Sequence, residues 1–333
     1  MKIAFVITNR ASFGRMKSII REASVNHDVQ ITVAGAALQL NIGFSVKHRA
    51  YILVDGDAVE SMAKTTSVLL NDITTIFSND KPDCVYIHGD RHEMLAVAIA
   101  ASYMNIPILH GEGGEDTGTI DNKVRYAISA LADIHFPVSV YAKVRLEKMG
   151  YTHVHRVGST ALDNLVGLDL SSDRKEPYIV VLHHPNTTNL EDITPLIEAL
   201  QEVNIHKVWV NPNVDAGSKA MLRKIHRQDV EFIKDLPPEE YARLLKNAQL
   251  GIGNSSSFIK EAAYFGTPTI IVGDRQHNRE HGLNVRFTDY NKDNILAAMF
   301  DQMGKRYEPD YRFGNGTASK KIMEVLSAWT PLH

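Results

Sequence analysis

The sequence predicts an α/β protein of two Rossmann-like, doubly wound domains facing a cleft, and three observations predict it. Short β-rich runs alternate with helical stretches along the whole chain. Those runs are apolar throughout rather than alternating, as in parallel strands covered on both faces. The alternation breaks at one polar stretch, DLSSDRKEP (residues 169–177), and then restarts. At 333 residues the chain can hold two ordinary domains, each with its own core. The expected division is 1–168, a linker over 169–177, and 178–333, with the last helix free to pack back on the first domain.

Taken in order, the strand KIAFVIT leads into the helix GRMKSIIREA and the strand VQITVAG. VESMAKTTSVLLNDITTIFSND carries apolar residues at helical spacing and precedes the strand PDCVYIHG. The helix RHEMLAVAIAASYMN, the strand IPIL with the loop HGEGG, and the helix DNKVRYAISALA follow. DIHFPVS is extended, VYAKVRLEKMG helical and THVHRVGS extended. After the linker the strands are YIVVLHHP, HKVWVNP, VEFIKDL, LGIG and TPTIIVGD. Between and after them lie the helices LEDITPLIEALQEVN, SKAMLRKIHRQ, PPEEYARLLKNA and FIKEAAYFG, and a terminal helical section. Ligands of such sheets bind beyond the carboxyl ends of the strands, so the loops there carry the functional reading.

Composition removes several classes. Hydrophobic residues make up 44% and charged residues 23%, the net charge is −3, and neither sign forms a long run. A non-specific nucleic-acid binder would show a basic face, so that class is disfavoured. The single cysteine, Cys84, excludes an intrachain disulfide and reads as a small core residue of a protein kept in a reducing compartment. No segment approaches the roughly 18–20 apolar residues of a membrane span. The N-terminus MKIAFVITNR lacks the long apolar region and cleavage site of a signal peptide. The expectation is a soluble cytoplasmic protein without a membrane partner.

The loops combine glycines with ionisable groups. TNRASFG follows the first strand, and Arg10 with Gly14 at a helix start could hold a phosphate, although a solvated arginine in a turn accounts for it equally well. The dinucleotide pattern GxGxxG is absent. HGDRHE sets Asp90 between a strand and a helix, where capping is the competing explanation. HGEGGED follows the next strand, with Glu112 and Glu115 projecting among glycines that let a ligand approach the backbone. Acidic loops are commonly just solvated. Two at adjacent strand ends, each against an apolar run, point to acid–base chemistry.

In the second half, His183 and His184 end the first strand, and the turn at Pro185 aims one of them across the cleft. Fifteen histidines are scattered without metal-ligand spacing, so no metal site is expected. GNSSSFIKEAAYFGTP places Ser255, Ser256 and Ser257 at a helix opening. Hydroxyls and free N–H groups there can grip a phosphate, and one N-cap would not need three serines. Glu261 lies within reach of a ribose diol, and Arg275 and Arg279 follow a further strand.

With these motifs in view, the chain resembles the UDP-N-acetylglucosamine 2-epimerases, most closely the hydrolysing branch of the sialic-acid pathway. HGDRHE, LHGEGGEDTGTID, VRYAI, HHPNTT, NPNVDAGSK, GNSSS, FGTP and GDRQ follow that branch's order from about Ile3 to about Val285. The resemblance implies a glycosyltransferase-B architecture, a UDP-HexNAc substrate, a homodimer or homotetramer, and no metal or organic cofactor. It implies acid–base roles for Asp90, Glu112 and Asp121, and places His184 near the leaving diphosphate. It puts Arg10, Ser255, Ser256 and Glu261 on the nucleotide and Glu115, Asn122, Arg125, Asn213 and Asp215 around the site.

Four positions depart from the branch. Asn122 stands where IDD or IDE has a carboxylate, and Tyr126 where RHAI has histidine. Phe258 stands where glycine follows the serines, and Asn278 where RQxGR has glycine. An amide cannot accept a proton at neutral pH, so Asn122 can position a group but not act as a base. The drift at Asn122 and Tyr126 leaves two alternatives to a hydrolysing epimerase: a glycosyltransferase of the same fold, or a non-catalytic nucleotide-sugar binder.

Overall fold

Two parallel sheets organise the chain in the computed structural model, which describes residues 1–52, 59–186, 188, 191–212, 217–234 and 236–329. The first contains β1 (Lys2–Ile7), β2 (Asp28–Ala34), β3 (His48–Ala50), β4 (Cys84–His88), β5 (Ile108–Gly111) and β6 (Ile134–Phe136). The second contains β7 (Tyr178–Leu182), β8 (His206–Val210), β9 (Glu231–Ile233), β10 (Leu250–Gly253), β11 (Thr269–Val272) and β12 (Val285–Thr288). Their spatial orders, β3-β2-β1-β4-β5-β6 and β12-β11-β10-β7-β8-β9, are the same doubly wound topology written twice. Strand order therefore reverses between β1 and β4 in one sheet and between β7 and β10 in the other. Those are the crevices where such sheets bind ligands.

The central strands are buried on both faces, which is why their sequences are apolar without alternation. On one face of the first sheet lie α1 (Arg10–Ala23) and α12 (Ala318–Ala328). On the other lie α2 (Val59–Asn79), α3 (His92–Tyr103) and α4 (Ile120–Leu131). Cys84 is buried in β4, and burial pushes its thiol up to about 12, so it is a packing residue.

The second sheet is covered on one face by α7 (Thr194–Gln201), α8 (Ser218–Ile225) and α11 (Lys292–Gln302). Its other face carries α6 (Thr160–Asp163), α9 (Pro238–Asn247) and α10 (Lys260–Phe265). The chain crosses between lobes in both directions. Val138, Leu162 and Leu165 enter the second sheet's core ahead of the polar segment 169–177, and Leu170 within that segment is buried there too. At the other end, Ala318, Ile322, Met323 and Leu326 of α12 return to the first sheet's core. Asp163 fixes this return by accepting from the backbone N–H groups of Ala318 and Ser319 at 2.9 and 2.6 Å. After β6 comes α5 (Val140–Lys148), which lies beside the loop after β5, its Arg145 donating to the Gly114 carbonyl at 2.7 Å. Among the described residues no helix is long and apolar enough to cross a membrane.

Candidate active site between the two lobes

The loops after β4 and β5 carry the carboxylates Asp90, Glu112 and Glu115. β4 stops at His88, and Asp90 follows Gly89. Arg91, not Asp90, is the N-cap residue of α3, so capping does not explain the aspartate. Its carboxylate instead pairs with Arg125 of α4, a guanidinium only 1% exposed. Burial works to raise the Asp90 carboxyl, and the charges of Arg125, Arg279 and Arg15 overcome it, holding it below the usual carboxylate range. Arg91 and Glu93, which follow Asp90 in the same loop and helix start, bond each other at 3.0 Å.

Glu112 follows the last residue of β5 with φ +64°, a left-handed backbone that a non-glycine residue seldom adopts. Strain of this kind clusters at functional sites, where the surroundings hold it in place. The residue is 4% exposed. One carboxylate oxygen accepts from the Ser159 hydroxyl at 2.8 Å, and the other from the Lys260 ammonium at 2.7 Å. His88 Nε2 lies 3.5 Å away and Arg15 Nη1 3.9 Å. Burial alone would favour the neutral acid. The Lys260 charge, with His88 and Arg15, reverses that and keeps the carboxyl well below its ordinary value. Glu115 is buried beside it, 3.0 Å from Lys260 and 3.2 Å from Arg279.

Arg15 connects this cluster to the second lobe. Asn9 caps α1 by accepting from Ser12 N at 2.9 Å, which sets the helix phase and brings Arg15 round to the cleft. There its Nη2 donates to the Ser256 hydroxyl at 2.9 Å. The expected phosphate loop is thus modified. Gly14 lies inside α1, past its first turn, rather than at the helix start, and an added Cβ would meet Pro238 of α9 at 3.4 Å. Arg10 opens the helix, and its Nη1 reaches the Leu236 carbonyl at 3.5 Å.

The second lobe offers mainly neutral donors and acceptors. Asn254, just after β10, accepts from His184 N at 2.7 Å and donates to the His184 carbonyl at 2.8 Å, clamping that backbone. His183 lies 2.9 Å from the Tyr290 hydroxyl, and burial drives its pKa down to about 3, so it is neutral and structural. Ser255 caps a tight 3₁₀ turn, Ser256–Phe258, that holds the other two serines ahead of the short α10, in place of the expected continuous helix. Ser255 and Ser257 share a hydroxyl contact at 2.9 Å. Phe258 closes the turn fully buried, and its ring occupies the space where a Cβ on Gly251 would stand, 2.8 Å away. Glu261 is raised by burial, against the opposing pull of Arg15.

The remaining expected residues fall as follows. Asp121 lies in the first turn of α4, where its charge acts on Arg125. Asn122 is a clasp: its amide donates to Asp116 at 2.7 Å, while its carbonyl oxygen accepts from Arg125 at 2.9 Å and from Thr117 N at 3.1 Å. The Arg275 carbonyl accepts from Gly118 N at 3.4 Å, so its backbone belongs to the seam between the lobes. Asn278 has φ +66°, a backbone that asparagine tolerates better than most residues and that accounts for glycine's replacement there. Asn213 and Asp215 lie outside the described residues. Sequence reasoning missed Arg15, Ser159, Asn254 and Lys260. Only Lys260 left a local signal, a lysine set between Phe258-Ile259 and Ala262-Ala263 in an otherwise apolar short helix.

Comparison with known proteins adds an independent line. The profile of one protein family, described as UDP-N-acetylglucosamine 2-epimerase, matches residues 22–327. A Legionella pneumophila protein named UDP-N,N'-diacetylbacillosamine 2-epimerase (hydrolyzing) is 30% identical, over 100% of this chain and 97% of its own. A Neisseria meningitidis UDP-N-acetylglucosamine 2-epimerase is 29% identical, over 98% of this chain and 95% of its own. In fold, the chain is similar to the Methanocaldococcus jannaschii UDP-GlcNAc 2-epimerase crystallised with UDP-GlcNAc and UDP. The TM-score is 0.85 at 19% identity, covering 99% of this chain and 100% of that one.

Proposed function

The chain belongs to the UDP-N-acetylglucosamine 2-epimerase family, and from that premise we propose that it is a hydrolysing 2-epimerase of a UDP-linked N-acetylhexosamine, converting UDP-GlcNAc and water to ManNAc and UDP. One observation carries the reading. A single guanidinium, Arg15, spans from the Glu112 carboxylate, 3.9 Å away, to the Ser256 hydroxyl, 2.9 Å away. The acid–base group and the serine turn therefore sit within one side chain of each other, as a sugar and its diphosphate require.

In the proposed reaction a carboxylate of the set Asp90, Glu112 and Asp121 removes the C2 proton. The C2–H electrons form the C1–C2 double bond as the C1–O bond breaks, and that electron pair leaves with UDP. Water then adds at C1 of the resulting glycal while a proton returns to C2 from the opposite face. Such a base must be ionised, and the cations around Asp90 and Glu112 keep both carboxyls charged despite burial. Stabilisation of the developing diphosphate charge is assigned in this proposal to His184, Arg15 and the serine turn. Glu261 is proposed on the ribose, and Arg10, Arg275, Asn213 and Asp215 around the nucleotide. A division near 169–177, work in the cytoplasm as a homodimer or homotetramer, and turnover without metal or cofactor belong to the same proposal, on the strength of the family resemblance.

The test is incubation with UDP-GlcNAc in heavy water, with EDTA present. UDP and N-acetylmannosamine deuterated at C2 are expected. The N,N'-diacetylbacillosamine nucleotide, run in parallel, decides the sugar. Asp90→Asn and Glu112→Gln should each slow turnover by about 10²–10⁴-fold. Unchanged substrate under all conditions, or sugar transfer to an acceptor without C2 exchange, overturns the reading.

A further inference from the structure

Lys260 is 3% exposed, which a lysine tolerates only when its charge is matched. Its own lobe surrounds it with the core residues Phe258, Ile259, Ala262 and Ala263, and burial pushes the adjacent Glu261 carboxyl toward its neutral form. Its ammonium instead crosses to the first lobe and donates to Glu112 at 2.7 Å and Glu115 at 3.0 Å. We propose that Lys260 is a positioning residue of the reaction, a cross-lobe bridge that holds the Glu112 carboxylate in place and in charge, and that does so only while the lobes are docked. The catalytic consequence rests on the epimerase reading; the bridge itself does not.

The groups facing Glu112 are few enough to name. From α10 come Lys260 and, repulsively, Glu261; from α1 comes Arg15. His88 and Tyr86 face it from β4, and the Ser159 hydroxyl from the segment leading into α6. Glu115 shares the same ammonium, with Arg279 on its far side. Lys260 is thus the nearest cation, and the next groups lie 3.5 and 3.9 Å away without its short hydrogen bond. Without Lys260, burial is the largest remaining influence on the Glu112 carboxyl and works to neutralise it. A base that must be ionised would then be lost at a higher pH.

The experiment compares the full-length protein with Lys260→Met and Lys260→Arg. The ¹³C carboxyl resonance of Glu112, identified by its disappearance in Glu112→Gln, is titrated without substrate, and the pH profile of kcat/KM is measured with UDP-GlcNAc. In Lys260→Met the Glu112 titration and the acid limb of the profile should both move up by at least about one pH unit. Lys260→Arg, which keeps the charge, should stay near the parent. Should Lys260→Met fail to fold, Lys260→Met combined with Glu115→Gln removes one charge of each sign and should show the same upward shift. Identical Glu112 titrations with and without the ammonium overturn the proposal, as does a superimposable pH profile. A shifted resonance in a protein that turns over no sugar leaves the bridge standing and sinks the epimerase reading instead.

Discussion

The two sheets share one topology, yet the loops at their switch points differ in kind. Beyond β4 and β5 the first lobe presents Asp90, Glu112 and Glu115, all carboxylates. Beyond β7, β10 and β11 the second lobe presents a neutral network of His183, Asn254 and the serines, together with the cations Lys260 and Arg279 and the Glu261 carboxyl, which burial pushes toward its neutral form. Asp90 finds its cation, Arg125, within its own lobe. Glu112 and Glu115 take theirs mainly from across the cleft. Breaking a buried ion pair by removing one partner costs about 3–5 kcal/mol. The difference therefore teaches that the acid–base site is not a property of either lobe, and that docking is what brings two of its carboxylates their cations.

The strongest way to break that comparison is to wedge the lobes apart without touching a charge. Gly118 lies on the seam, and a Cβ there would stand 2.1 Å from the Asp274 carbonyl oxygen, a backbone atom that cannot swing aside. Gly118→Ala should force a shift on the order of an ångström, which alone can cost about 10²-fold in rate. Stability should fall by about 1–3 kcal/mol, the usual cost of overpacking. Steady-state kinetics and calorimetry check both. A variant with parental kcat/KM and Tm would show that the carboxylates do not depend on this docking.

This seam also marks the limit of what the sequence shows. The strands are legible because burial on both faces makes them continuously apolar, and Asp90 and Glu112 because each breaks such a run at its end. The serine turn is legible in place but not in form, since the space at Gly251 that admits the Phe258 ring is a tertiary fact. Arg15 and Lys260 are not legible at all as partners. Arg15 and Ser256 are 241 residues apart, and Lys260 stands 148 from Glu112 and 145 from Glu115. No periodicity reports contacts that exist only because two separately built lobes meet.

A smaller effect tests the missing carboxylate. Read from sequence, Asn122 is a lost proton-transfer group; in the structure its amide donates to Asp116 at 2.7 Å while its oxygen accepts from Arg125 at 2.9 Å. Asn122→Asp keeps the acceptor and removes the donor, so two carboxylates face each other. The expected loss is about 1 kcal/mol at neutral pH. Like charges raise the pair's pKa, so the penalty is present at neutral pH and fades as pH falls through the carboxylate range and one member takes a proton. Turnover should not rise. Denaturant melts at pH 7 and pH 5, with assays of C2 exchange, decide it. A severalfold gain in exchange would mean that position 122 does belong to the proton-transfer set and that the first lobe lacks a member.

The smallest effect is a gain, and it separates a glycine that guards the seam from one that merely lies beside it. Gly14 is helical, inside α1, and an added methyl would meet the Pro238 ring at 3.4 Å, an ordinary contact. A glycine in a helix interior costs about 0.8–1.0 kcal/mol relative to alanine. Gly14→Ala should therefore raise stability by up to about that amount and add a contact between α1 and α9, the helices already joined by the Lys17–Glu239 ion pair. UDP affinity should be unchanged, because helix packing and not ligand approach explains the residue. Calorimetry with UDP titration reads both terms. Loss of UDP binding with stability intact would return Gly14 to the phosphate loop that its sequence first suggested, and would move the nucleotide toward the first lobe, against the division of labour between the two sheets.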